Sequence, residues 1–237
     1  AIRNNEKGIA GIAGGNYLGA SDLSDRGVSL YALKTLESDD SASVQWFYDA
    51  IVMSAIEDSS LSFGYGLHLT NNSYGFDPDT QQSTGFVTDT AVVMFKEAVH
   101  FSNRAIVTFV AARGNEGTSN MEYPAVIDDD WVLSVGGTGS DGLWKNFFQN
   151  GISEFAASYG RNVDVAAPAD ASIIFSTNNQ SMNPLSFYDV FSGTSAAAPH
   201  ASGIVALLMS YLNDSVSSYY NLSPEDCERI IELTAEN

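Results

Sequence analysis

The chain has 237 residues, 44% of them hydrophobic, which suits the core of one α/β domain and excludes a disordered segment. Its formal charge of −19, from 29 acidic against 10 basic residues, repels phosphate backbones and argues against a DNA or RNA partner. No stretch reads as a membrane span, and the single cysteine, Cys227, rules out an internal disulfide.

Taken in chain order, residues 8–15 (Gly-Ile-Ala-Gly-Ile-Ala-Gly-Gly) are small and apolar. A phosphate-binding loop would need a strand before them and a lysine after them, and neither is there. A closely packed buried helix is predicted instead. Residues 16–27 read as a polar loop in which Asp22 and Asp25 could hold a structural calcium, although solvated carboxylates are the simpler reading. No other cofactor is expected. Val28–Leu36 reads as a strand, and residues 42–56 carry Val44, Phe47, Tyr48, Ile51, Val52 and Ala55 at helical spacing. Leu67–Ser73 reads as a strand ending in the turn Tyr74-Gly75, and Thr88–Phe101 as a helix with Val92, Phe95, Ala98 and Val99 along one stripe.

Ala105–Ala112 is a continuous apolar run, as expected of a strand covered on both faces. It leads into Arg113-Gly114-Asn115-Glu116-Gly117. Short strands are predicted at Trp131–Gly136, Val163–Ala167 and Ser172–Thr177. A tight turn at Gly193-Thr194 precedes a helix opening at Ser195, whose run Ile204–Met209 is apolar on every side and so predicts burial all round. Ser223-Pro224-Glu225-Asp226 is a helix start: a serine cap, proline at the first position and acid in the first turn. Cys227, just inside that helix, is expected to pack as a small hydrophobe. Alternating strands and helices predict an α/β, three-layer, doubly wound and mostly parallel sheet with helices on both faces, in a single domain over residues 1–237.

A serine in the first turn of a buried helix lies beside unpaired backbone N–H groups and the positive end of the helix dipole, where an oxyanion would be stabilised. By itself Ser195 could equally be a helix cap. Its surroundings, Ser-Gly-Thr-Ser-Ala-Ala-Ala-Pro-His-Ala-Ser-Gly over residues 192–203, resemble the nucleophile motif of the subtilisin-like serine proteases (subtilases). Val28–Leu36, Asn71–Gly75, Ala111–Gly117 and Val163–Pro168 are similar to further strings of that family, in the family's order. The resemblance implies a subtilisin-like fold, Ser195 as nucleophile and Asn115 as the side-chain donor to the oxyanion. It implies an extended peptide or protein substrate, received by Asn72, Ser73, Tyr74 and Gly75 on one edge, by Ala112, Arg113 and Gly114 on the other, and by Thr194. Arg113 departs from the small residue usual there, and is expected either to narrow the cleft and favour acidic side chains or to be a solvated charge.

The base that would activate Ser195 is harder to find. Ile9-Ala10-Gly11-Ile12 matches the tail of the family's His-Gly-Thr pattern, and counting back puts Asn5 at the histidine position, with Glu6 and Lys7 after it. The chain's three histidines do not substitute. His200 is five residues after Ser195, about 140° around a helix; His68 is expected deep in a strand, and His100 at a helix end. Two expectations follow. One is a serine endopeptidase domain whose catalytic aspartate, with or without the histidine segment, lies on an upstream segment that could include a pro-region. The other is a pseudoprotease that binds peptides or acts as a scaffold. Family habit implies secretion.

Overall fold

A computed structural model describes residues 11–14, 27–37, 42–56, 64–77, 88–120, 122–127, 130–144, 155–170, 174–177, 188–215 and 222–236. The elements in order are α1 (Val44–Ala55), β1 (Leu69–Asn72), α2 (Asp89–Arg104), β2 (Thr108–Ala112), β3 (Leu133–Thr138), β4 (Val165–Pro168), β5 (Phe175–Thr177), β6 (Tyr188–Val190), α3 (Thr194–Ser215) and α4 (Pro224–Thr234). Strands β1 to β4 form a parallel sheet in that order, with Asn72 opposite Ala111, Ala112 opposite Val135 and Val135 opposite Val165. β5 and β6 form a separate antiparallel pair.

The apolar run in β2 explains the layering. Successive side chains of a strand point to opposite faces. Phe109 and Ala111 join Phe47 and Ile51 of α1 and Val92, Phe95 and Val99 of α2 in one core. Val110 and Ala112 join Leu133, Val135 and Val165 in the other, under Ala197, Ala198, Ala201 and Val205 of α3 and Cys227 and Ile231 of α4. The sheet is therefore covered on both faces, as predicted. Each fully buried Val, Leu or Phe contributes about 1.5–3 kcal/mol to that arrangement.

Local signals set the helix ends. Ser43 and Thr88 cap α1 and α2 through their side-chain oxygens. Ser223 and Asp226 complete a capping box at α4, with Pro224 in the first turn, and Cys227 is fully buried behind it.

Several expectations need correction. Val28–Leu36 is not a strand: residues 27–37 form no ladder and are mostly exposed, with Leu30 89% exposed. Its apolar side chains have no covering layer among the described residues, and a parallel strand needs one on each face. Residues 11–14 make a turn, Gly14 N–H donating to Gly11 O, rather than a helix; the rest of residues 8–15 lies outside the described residues. The strand after α2 starts at Thr108, because Ile106 has φ 63° and is exposed. The strand expected at Ser172–Thr177 is shorter, and its partner β6 was not anticipated. α3 is not buried all round. Its first turns bury Ala196, Ala197 and Ala198 but expose Pro199, and Ile204 and Leu207 are about half exposed. Thr194–Leu212 also reaches the length and apolar composition of a membrane span, contrary to the expectation that no stretch does. In this fold the same segment is the helix that packs against all four parallel strands.

Candidate active site

The carboxyl ends of β1 and β2 meet the amino end of α3, and Ser73, Gly114, Asn115, Thr194 and Ser195 come together there. Gly193 turns the chain into α3 with φ +90°, a left-handed conformation that suits glycine. A Cβ at this position would lie 3.2 Å from both Nδ2 and Oδ1 of Asn115, so the absent side chain is what lets the amide approach. Gly193 O accepts from Ala196 N–H and opens the helix.

Asn115 is held by the residue before the serine. Thr194 N–H donates to its Oδ1 at 2.8 Å and Thr194 Oγ1 to the same oxygen at 3.1 Å. Thr194 Oγ1 in turn accepts from Gly114 N–H at 3.1 Å. A backbone N–H can be met only by the amide's oxygen, which fixes which end is which. The NH2 end is left as the donor.

Ser195, in the first turn, is partly buried. Its hydroxyl donates to Ser73 O at 3.3 Å, and the Ser73 hydroxyl donates back to Ser195 O at 3.0 Å. Asn71 extends the link, Nδ2 donating to Ser73 Oγ at 3.0 Å and Oδ1 accepting from Ser202 Oγ at 3.0 Å. Ser73 and Asn71 thus lock the end of β1 to α3. Their partners are more than a hundred residues away, so the sequence alone could not pair them.

The side chains of the two expected substrate edges are mostly occupied with the fold. Asn72 is buried, and its Nδ2 donates to Val110 O and Thr70 Oγ1. The Tyr74 ring stacks on Phe47 with centroids 4.1 Å apart, its hydroxyl donates to Asn72 Oδ1, and burial raises its pKa. Gly75 is exposed, Gly114 is partly exposed at φ +111°, and Ala112 and Thr194 are buried.

Arg113 overturns its expectation: it is 2% exposed, neither a solvated charge nor a side chain in the cleft. Its Nη2 donates to Asn120 O and Tyr159 O. Burial lowers its pKa, and the charge of Glu122 acts in the opposite direction. Glu122 was not singled out from the sequence, because no motif marks it. It reaches this corner through mutual main-chain bonds between Phe76 and Tyr123, 2.9 Å each way. Burial raises its pKa, and Arg113 and the Ser158 hydroxyl pull it down.

All three histidines fall within the described residues, and each is engaged or placed elsewhere. His200 Nδ1 lies 2.7 Å from Ala196 O, and His100 stacks on Trp131 with centroids 4.0 Å apart. His68 is exposed rather than deep in the sheet, because it sits at a bend before β1. Ser195 faces the other end of that strand, about 16 Å away at the rise of extended chain. Asn5 lies outside the described residues, as do Asp22 and Asp25. Asp164, Glu228 and Glu232 offer oxygens within 4.8 Å of one another, the donor type of a hard cation. Asp164 already accepts from Ser134 N–H, and the group is remote from Ser195 in sequence and fold.

A parallel sheet wrapped by helices on both faces, with a serine at the amino end of the helix that meets its carboxyl end, defines the subtilisin-like α/β class. The chain belongs to the Subtilase family, which it matches over residues 7–237. It is 30% identical to Subtilisin DY from Bacillus licheniformis, over 100% of this chain and 67% of that protein. It is 28% identical to Alkaline elastase YaB from Bacillus sp. (strain YaB), over 88% of this chain but 42% of the relative, so it spans less than half of that protein's length. Two solved structures share the fold: a cold adapted subtilisin-like serine proteinase (TM-score 0.58, 22% identity, 85% of this chain and 58% of that one) and a lanthipeptide protease (TM-score 0.64, 16% identity, 86% and 62%).

Proposed function

We propose that this domain is built for serine endopeptidase chemistry on an extended peptide, with Ser195 as nucleophile and the Asn115 amide together with Ser195 N–H as the oxyanion donors. One observation carries the reading. The N–H of Thr194, the residue before Ser195, occupies Asn115 Oδ1 at 2.8 Å, which leaves the NH2 group as the donor end. Donors preorganised before charge develops are the largest single contribution to this kind of catalysis. The ends of β1 and β2, residues 72–75 and 112–114, are read as two edges that take the peptide as an added strand, with Gly75 and Gly114 allowing close approach. The secreted habit expected from the sequence belongs to this reading.

A serine hydroxyl needs a base. None of the chain's histidines bonds to Ser195, whose hydroxyl donates to the Ser73 carbonyl. That observation favours a second reading alongside the first: the 237 residues by themselves hold peptides and turn over slowly or not at all, and a base from outside them completes the enzyme. The test is to incubate the purified chain with casein and with a fluorophosphonate probe, beside Ser195→Ala. We expect no casein cleavage and slow labelling confined to Ser195. Fast, Ser195-dependent cleavage would refute the second reading. Labelling that is indifferent to Ser195→Ala would refute the first.

A further inference from the structure

The gap between the two proposed edges is floored by a carboxylate that the chemistry above does not use. Main-chain bonds between Phe76 and Tyr123 hold the backbone of Glu122 beside the end of the 72–75 segment. From there its side chain crosses to the other edge. A Cβ on Gly114 would lie 2.1 Å from Glu122 Oε2, and one on Gly75 would lie 3.5 Å from the same oxygen. The carboxylate therefore rests against both glycines. Ser158 Oγ, itself buried, donates to Oε1 at 3.3 Å.

The nearby cation does not satisfy this carboxylate. Arg113 Nη2 is spent on two main-chain carbonyls, and its Nε and Nη1 have no hydrogen-bond partner among the described residues, so the guanidinium acts on Glu122 only through space.

We propose that Glu122 is a specificity-determining residue that selects a cationic side chain, arginine or lysine, at the substrate residue whose carbonyl faces Ser195. The inference rests on reading residues 72–75 and 112–114 as a peptide groove. Side chains of a strand laid between two edges alternate toward and away from the protein. The residue presenting its carbonyl to Ser195 and Asn115 lies beside Gly114, and its protein-facing side chain enters the gap floored by Glu122. A large apolar side chain there would strip water from a carboxylate and give nothing back. A guanidinium or ammonium would return charge-assisted hydrogen bonds.

The experiment uses fluorescent tetrapeptide amides that differ only in the last residue: arginine, its neutral isostere citrulline, norleucine or alanine. Binding to the 237-residue chain is read by anisotropy. We expect the arginine peptide to bind about ten- to a hundred-fold more tightly than the citrulline peptide, the range for hydrogen bonds to a charged group. In Glu122→Gln that ratio should fall to about one. Equal binding of arginine and citrulline peptides to the native chain overturns the proposal without any variant. So does a preference for norleucine or alanine, or an arginine preference that survives Glu122→Gln. If none of the four peptides binds, the groove itself is refuted and this inference falls with it; peptides that bind without regard to charge refute Glu122's role alone.

Discussion

Replacing Asn115 in two ways separates what its two ends do. Thr194 is fully buried, and both its N–H and its hydroxyl point at Asn115 Oδ1, at 2.8 and 3.1 Å. Asn115→Leu removes that acceptor and leaves a buried N–H without a partner, which costs about 1–3 kcal/mol. Asn115→Asp keeps an oxygen for Thr194 but has no NH2 to offer. At neutral pH we expect its stability to stay within about 1 kcal/mol of native, because Glu116 is exposed and its repulsion is weak in the high dielectric of water. The proposed oxyanion donor is nevertheless gone. The equivalent loss in subtilisin itself, a relative of this chain and the source of the figure, costs about 10²–10³ in rate, or about 2.7–4 kcal/mol. Stability is read by urea denaturation, and chemistry by the rate of fluorophosphonate labelling at Ser195. We expect the leucine variant to lose both and the aspartate variant to lose labelling alone. Equal destabilisation by both variants would refute the acceptor role of Oδ1. Native-rate labelling of the aspartate variant would refute the donor role of Nδ2.

Three further outcomes are expected. In Gly137→Ala the new Cβ would meet Ala169 Cβ at 2.7 Å and Ala157 Cβ at 3.2 Å, neither of which can swing aside, so urea denaturation should show a loss of about 1–3 kcal/mol. Gly114→Ala meets two costs, a φ of +111° and the Glu122 carboxylate. Adding Glu122→Ala should relieve only the second, giving a double-mutant coupling of about 0.5–3 kcal/mol in a denaturation cycle. Burial raises the Glu122 pKa, so the folded state holds that proton more tightly than the unfolded chain does. The stability that this proton confers is complete below the ordinary carboxylate range and is lost as pH rises through the folded pKa. Glu122→Gln does not titrate, so its stability relative to native should climb with pH from about 4.5 upward and then level off, and a constant difference would contradict the shift.

The sequence carried the layer order well because its signals are local. The apolar run of β2, the stripe of α2 and the Ser223 cap each announce themselves within a dozen residues. It carried the meeting of β1, β2 and the start of α3 around Ser195 for another reason, a long motif whose parts fall in family order. It failed where placement depends on distant chain. Val28–Leu36 has strand composition, but a strand needs a partner and two covering layers, and composition holds neither. Arg113 reads as surface charge until Asn120 and Tyr159 turn their carbonyls toward it. Glu122 carries no motif, and only the Phe76–Tyr123 pairing brings it between Gly75 and Gly114. α3 appears uniformly apolar because its outward residues, Ile204 and Leu207, have the same chemistry as its inward ones.

The reciprocal bonds between Ser73 and Ser195 determine how the hydroxyl can react. Ser195 Oγ donates its hydrogen bond to a carbonyl oxygen, which accepts it but cannot take the proton away. The hydroxyl therefore stays a hydroxyl, whatever the proposed oxyanion donors could offer once the proton has left. A base diffusing in from solvent should supply the missing step, since Ser195 is only partly buried. Imidazole added to the buffer is expected to speed fluorophosphonate labelling in proportion to its free-base concentration. A positioned base contributes about 10²–10⁴-fold, so an unpositioned one should give on the order of tenfold. Leaving the Ser73 carbonyl costs the hydroxyl about 0.5–1.5 kcal/mol whether water or imidazole takes the proton, so it does not change that ratio. The acceleration should vanish in Ser195→Ala and shrink strongly in Asn115→Asp, where the developing charge has lost its side-chain donor. A labelling rate indifferent to imidazole, in a chain that still labels at Ser195, would mean that proton removal is not what limits this serine.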